Sequence, residues 1–423
     1  MLRNTIFAAL VLLIIMTAIP YGTVEPWWKA AFVCAVFVMC IAAIIDALIS
    51  GNDRINGVPI LLPMLALWAL AFLQTFSDIS ADPFETRFFA LQMLALTSFL
   101  ALLYRYARTA RRVRILVYTV LGIAVASAIF GILRQTTQHQ TGFILPLLKL
   151  NQGYGQFINK NHFAYLMEMA FGLGLGIILA SGVKKERVMI YIALLLPIWI
   201  ALVLANSRGG ILAMLAEIIV AALLATSIRA DVPRSMVLRA ALFVILIVGV
   251  LAGMLWVGGD RLASNFAATS TELNTTSEGA SRNEIWRASA KMFAAHPILG
   301  VGLGGYWIGI TAYHEASGVM TPQEAHNDYL ELLSSGGLIG LAIGVWFAVM
   351  VIREARKNLF PETGFLRAAR VGSVLGIAGV AAHSLVDFGL HMLANAVVFL
   401  TLIMIVTTPI APDKIVDLNT KAP

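Results

Sequence analysis

Four basic or titratable side chains stand where long apolar runs are interrupted: Arg134, Arg208, Arg282 and His326. Arg208 lies in Asn206-Ser207-Arg208-Gly209-Gly210, a tight break between two apolar stretches. An arginine inserted into hydrocarbon costs about 2.5–3.5 kcal/mol. One reading is a side chain that snorkels to the interface. The other is an arginine that binds an anion: the glycines let a ligand approach the backbone, and the start of the next helix adds a positive dipole end. Arg282 falls in the first turn of a helix opened by Ser281-Arg282-Asn283-Glu284, a capping box in which Ser281 caps and Glu284 reaches back. Helix N-termini disfavour cations, so a bound anion accounts for Arg282 there; an ordinary solvated loop arginine is the plain alternative.

His326 opens the run His326-Asn327-Asp328-Tyr329-Leu330-Glu331. Asn327 can cap the following helix, which leaves His326 at the membrane surface. Histidine accepts and returns a proton near neutral pH, while simple polar cover at a helix start is the bland role. Arg134 ends the fifth apolar stretch, as an interface anchor or as a further arginine contact. Asn161 and His162, in Asn159-Lys160-Asn161-His162-Phe163, either contact sugar or lipid phosphate or cap the next helix. His383, Asp387 and His391 recur at i, i+4 and i+8, which aligns His383 with Asp387 on one face. We read these two as a supporting hydrogen-bonded pair. A metal site needs at least three good ligands, and Gly389 breaks the helix before His391, so no metal is assigned. There is no Asp-x-Asp for a divalent-metal nucleotide-sugar site and no Gly-x-x-x-x-Gly-Lys phosphate loop, and no cofactor is expected. Gly300, Gly302, Gly304 and Gly305 follow no strand and read as a flexible turn.

The elements that must position these residues are apolar helices. Of the 423 residues 59% are hydrophobic and 13% charged, a balance no soluble domain of this size would show. A bilayer core needs about 20 apolar residues per helix. Twelve stretches qualify: 4–21, 28–49, 58–76, 87–104, 114–133, 161–182, 188–205, 208–227, 237–257, 328–351, 367–387 and 391–410. The first reads as a retained helix, since no small-residue cleavage site follows it. Basic residues cluster in alternate loops, among them Arg105 to Arg114, Lys184 to Arg187 and Arg353 to Arg370. The positive-inside rule then places both termini in the cytoplasm. The formal charge of +7 has the same origin; the basic residues form no continuous face, so nucleic acid is not a partner. Cys34 and Cys40 are about 9 Å apart along one helix, too far to bridge.

The expected fold is all-α: a single polytopic membrane domain, 1–423, with about 12 transmembrane helices. Its large outer loop, 258–327 between helices nine and ten, begins Ser/Thr-rich and contains an amphipathic helix ending at Pro297. The absence of an internal repeat argues against a transporter or flippase, the rival class.

Asn206-Ser207-Arg208-Gly209-Gly210, Ser281-Arg282-x-x-x-Trp286, His296-Pro297-Ile298-Leu299-Gly300-Val301-Gly302 and Ala325-His326-Asn327-Asp328-Tyr329-Leu330 with Gly337-x-x-Gly340-Leu341 together resemble the O-antigen ligase and O-antigen polymerase superfamily. His383-Ser384-x-x-Asp387-Phe388 resembles the penultimate helix of that family, so the resemblance spans residues 200–405. It implies a GT-C-like, metal-independent membrane glycosyltransferase in a bacterial inner membrane, with its active site on the periplasmic face. The implied donor is an undecaprenyl diphosphate-linked glycan, and the acceptor lipid A–core or another lipid-linked glycan. It implies further that Arg208 and Arg282 engage the diphosphate and that His326 activates the acceptor. Arg134, Asn161, His162, Asn327, Asp328, His383 and Asp387 are then expected in support.

Overall fold

The structure, a computed structural model, describes residues 2–19, 21–51, 57–76, 79–137, 153–180, 182–228, 282–314, 321–359 and 364–410. Its helices are α1 (Leu2–Ala18), α2 (Pro26–Ser50), α3 (Val58–Phe76), α4 (Pro83–Tyr106), α5 (Ala110–Thr137), α6 (Lys160–Leu179), α7 (Lys185–Leu204), α8 (Arg208–Ile228), α9 (Arg282–Ala295), the single turn α10 (Tyr306–Gly309), α11 (Asp328–Leu359), α12 (Gly364–His383) and α13 (Leu393–Thr407). No strand occurs among the described residues. Among the described residues eight helices, α2 to α7, α11 and α12, are long and apolar enough to cross a bilayer; α1 and α13 are shorter apolar helices. The expected span at 237–257, the Ser/Thr-rich stretch and the Ser281 cap lie outside the described residues.

Helix α6 runs through the centre, with every residue from His162 to Ile177 buried. Gly172 and Gly176 lie on one face and meet Gly376 and Gly372 of α12. A Cβ added to Gly176 would sit 2.2 Å from Gly372 Cα, and one on Gly172 2.6 Å from Gly376 N. Small residues four apart let two helix backbones touch, which is how helices associate where no hydrophobic drive separates them from lipid. One turn before Gly172, Glu168 of α6 faces His383 of α12, which lies two turns past Gly376.

Loops that the charge pattern assigns to one side are neighbours in space. At one end of the bundle Gln156 Nε2 donates to Ala18 O (2.8 Å), Ala81 N to Val301 O (2.8 Å) and Asn395 Nδ2 to His162 O (3.0 Å). At the other, Asp46 accepts from Tyr106 Oη (3.0 Å) and lies 3.4 Å from both Arg3 and Arg105. Arg112 bonds Asn4 Oδ1 (2.7 Å), and Arg370 bonds Thr408 O (2.8 Å).

Helix α11 is broken at Gly337 (φ 64°, ψ −164°). The break frees backbone groups, and the segment after α9 takes them up. Val301 N and Gly302 N donate to Ser334 O and Ser335 O, while Leu338 N and Ile339 N donate to Pro297 O and Ile298 O. Gln74 of α3, fully buried, donates to Leu299 O (2.5 Å) and Ser335 O (3.0 Å) and accepts from Leu303 N (2.9 Å). Non-helical backbone at membrane depth is tolerated where protein satisfies it in this way. The glycine run is therefore not the flexible turn expected. Gly300 and Gly302 have φ of 67° and 103°, and added Cβ atoms would lie 2.3 Å from the Ser335 backbone and 2.5 Å from Ser80 Oγ. Glycine is needed there for both conformation and close packing.

Candidate active site

Arg208 is the first residue of α8. Buried Ser207 caps that helix, its Oγ accepting from Gly210 N (3.2 Å) and its carbonyl from Ile211 N (3.1 Å). Asn206 before it has φ 53°, a left-handed conformation uncommon outside glycine. Gly209 lies directly against His383, where an added Cβ would come 2.1 Å from Nε2. The His383 ring is wholly buried, its Nδ1 2.8 Å from Glu168 Oε2, with the Tyr165 ring stacked on it at 4.0 Å. The expected His383–Asp387 pair does not form. Helix α12 ends at His383, and the turn that follows carries Asp387 away from that face, toward Asn161 and His326.

His326 also has positive φ, 51°. Its neighbours hold it on both sides. Ala325 N donates to Glu331 Oε2 (2.9 Å), and Ala325 O accepts from Trp286 Nε1 of α9 (3.0 Å). Asn327 Oδ1 caps α11 by accepting from Tyr329 N (3.1 Å) and Leu330 N (3.0 Å), and Asp328 N donates to Ser384 O (3.0 Å). Backbone strain of this kind persists only where the surroundings over-determine it, and it clusters at functional sites.

The His326 side chain is 33% exposed and that of Asp387 1%, with Nδ1 and Oδ1 3.6 Å apart. That separation is an ion-pair contact just beyond hydrogen-bond length. Asp387 also accepts from Asn161 Nδ2, and its Oδ1 from Phe388 N (2.9 Å). Burial works to raise the Asp387 carboxyl. The close approach of His326, with the charges of His162 and His383, outweighs that and holds it well below the usual carboxylate range. The Phe388 ring meets three imidazoles edge-on, His162 at 4.8 Å, His326 at 4.9 Å and His391 at 5.7 Å. His391 Nε2 lies 3.5 Å from Asp328 Oδ1 and 3.6 Å from Glu331 Oε1. Burial raises the Glu324 carboxyl, against the pull of His391.

Arg282 opens α9, half-buried and within electrostatic reach of His383. Arg134 is buried rather than anchoring an interface: Nη1 donates to Gly155 O (2.8 Å) and fixes the segment leading into α6. Asn159 caps α6 by accepting from Asn161 N (2.8 Å), which leaves the Asn161 amide for Asp387 and His162 buried behind it. Among the described residues no group of three or more His, Cys, Asp or Glu side chains is disposed to hold a metal ion.

Sequence reasoning passed over Glu168 and Tyr165, and it gave Phe388 a place in a motif but no role. A carboxylate inside an apolar span is costly and marks function by default, so Glu168 carried a readable signal. Tyr165 carried none.

Residues 190–345 match the family model described as O-antigen ligase. The matched stretch contains Arg208, Arg282 and His326 and ends before His383 and Asp387. No curated protein matches the chain.

Proposed function

From the O-antigen ligase domain that this chain carries, and so from its place in the O-antigen ligase and polymerase superfamily, we propose an inverting, metal-independent glycan transfer. The donor is an undecaprenyl diphosphate-linked glycan and the acceptor a hydroxyl of lipid A–core. The end of the bundle that holds His326 faces the periplasm of a bacterial inner membrane, and both termini face the cytoplasm.

In this reaction the acceptor oxygen bonds to the anomeric carbon, while the bond from that carbon to the diphosphate breaks with its electron pair going to the leaving group. Arg208 and Arg282 neutralise the diphosphate; guanidinium forks bind phosphate oxygens bidentately and stabilise developing charge. His326 takes the acceptor proton. Asp387 on the Nδ1 side leaves Nε2 for the acceptor, the division of roles by which a carboxylate orients a general base. The proton then passes from the partly exposed ring to water. Attack opposite the leaving group inverts the anomeric centre.

The observation that carries this reading is the pairing of a partly exposed imidazole with a buried carboxylate, at the same end of the bundle as two arginines that each open a helix. The test is transfer by the purified full-length protein with lipid-linked donor and core acceptor in EDTA. Discrete ligated product is expected. A ladder formed from donor alone would assign the same centre to a polymerase, and no transfer without added divalent metal would overturn the mechanism.

A further inference from the structure

We propose that the buried Glu168–His383 pair is a positioning device for Arg208, which sets how tightly the donor diphosphate is held. Both side chains are fully inaccessible, so neither touches substrate. A polar pair of this kind in an apolar interior is weak evidence for stability, since the desolvation cost rivals the attraction. Its geometry supplies a different reason for its presence.

The His383 ring is held by two side chains, one of them itself anchored. Glu168 holds Nδ1 at 2.8 Å, Tyr165 stacks on one face at 4.0 Å, and the Tyr165 hydroxyl lies 3.3 Å from Ser384 Oγ. The remaining edge, Nε2, meets Gly209, where no Cβ fits. Arg208 is the adjacent residue, at the very start of α8. The ring is thus the wall against which the Arg208 turn is seated. The wall belongs to the α6–α12 core, whose backbones touch through Gly172, Gly176, Gly372 and Gly376. Arg208 therefore takes its position from the closely packed α6–α12 core and not from the short turn between α7 and α8 alone. A catalytic contact displaced by about 1 Å loses on the order of 10²-fold in rate, so a fixed wall behind the arginine has a large effect to protect.

Given the donor role of Arg208, on which this rests, the test is a split between donor and acceptor kinetics in full-length protein. Gly209→Ala and Glu168→Leu are each expected to raise the donor KM by about 10- to 10²-fold and to leave the acceptor KM unchanged. Glu168→Gln, whose amide oxygen still accepts from Nδ1–H, is expected to stay near wild type. Adding His383→Ala to Gly209→Ala makes room for the new methyl, so the double variant should be no worse than His383→Ala alone. A normal donor KM in Gly209→Ala, or a loss of turnover in Glu168→Leu with donor KM unchanged, overturns the inference. If Glu168→Leu does not accumulate, Gly209→Ala and the double variant decide. Arg208→Ala is measured alongside. An unaffected donor KM there overturns the donor reading itself, whereas an impaired Arg208→Ala beside a normal Gly209→Ala overturns only the positioning role.

Discussion

Asp387 Oδ1 stands 3.6 Å from His326 Nδ1, joining the turn after α12 to the residue that leads into α11. The carboxylate is buried, the imidazole reaches the surface, and no other contact links those two side chains to a shared task as directly. For Asp387→Asn, which keeps the shape and removes the charge, the expected result is a fall in kcat of about 10²-fold with little change in donor KM, as for a misplaced catalytic group. Equal losses in kcat and in donor binding would show that Asp387 holds the fold and does not orient the base.

The pH dependence follows from the same pair. The folded-state pKa of Asp387 is depressed, so its stabilising contribution is present above the ordinary carboxylate value of about 3.9 and is lost only as pH falls through the still lower folded value. Protonation of Asp387 therefore does not contribute an acidic limb between pH 5 and 8. A base must be neutral to act, and the His326 variant tests whether a limb in that range belongs to this imidazole or to a neighbouring carboxyl. A pH–rate profile at saturating donor checks this: His326→Ala should lose the limb and about 10²–10⁴-fold of turnover. A limb that persists unchanged in His326→Ala would assign the base elsewhere.

Arg208→Ala and Arg282→Ala are expected to abolish donor use while the protein still accumulates in the membrane. Lysine should restore little, because an ammonium lacks the planar fork that matches phosphate. Transfer assays with purified donor and acceptor decide it. Full activity in either alanine variant removes that arginine from the donor site.

Sidedness can be measured with an impermeant thiol reagent on intact spheroplasts, after Cys34 and Cys40 are replaced by alanine. A cysteine at exposed Thr311, at the His326 end, should label, and one at Thr109, at the Asp46 end, should not. The reverse pattern would invert the orientation.

Gln74→Leu should destabilise the protein by about 1–3 kcal/mol for each buried backbone group left unpaired, since Leu299 O and Leu303 N are paired by that amide, while Ser335 O keeps its bond from Gly302 N. Thermal unfolding in detergent measures it. An unchanged transition would mean that the α11 break is held without Gln74.

The apolar stretches were legible in the sequence because a span must satisfy its own backbone, and hydrocarbon leaves it no choice but a helix. The alternation of loops was legible because charge is costly to translocate. Arg208, Arg282 and His326 stood out because each is polar where an apolar run breaks. The partners of these residues were not legible. The i, i+4 spacing of His383 and Asp387 suggested a pair, yet the helix ends at the histidine, and each side chain finds a partner from α6: Glu168 for one, Asn161 for the other. Glycines that read as a loose turn proved to be the contact that closes a broken helix. Such partnerships depend on which helix faces meet, and faces meet through long-range packing that local spacing does not encode.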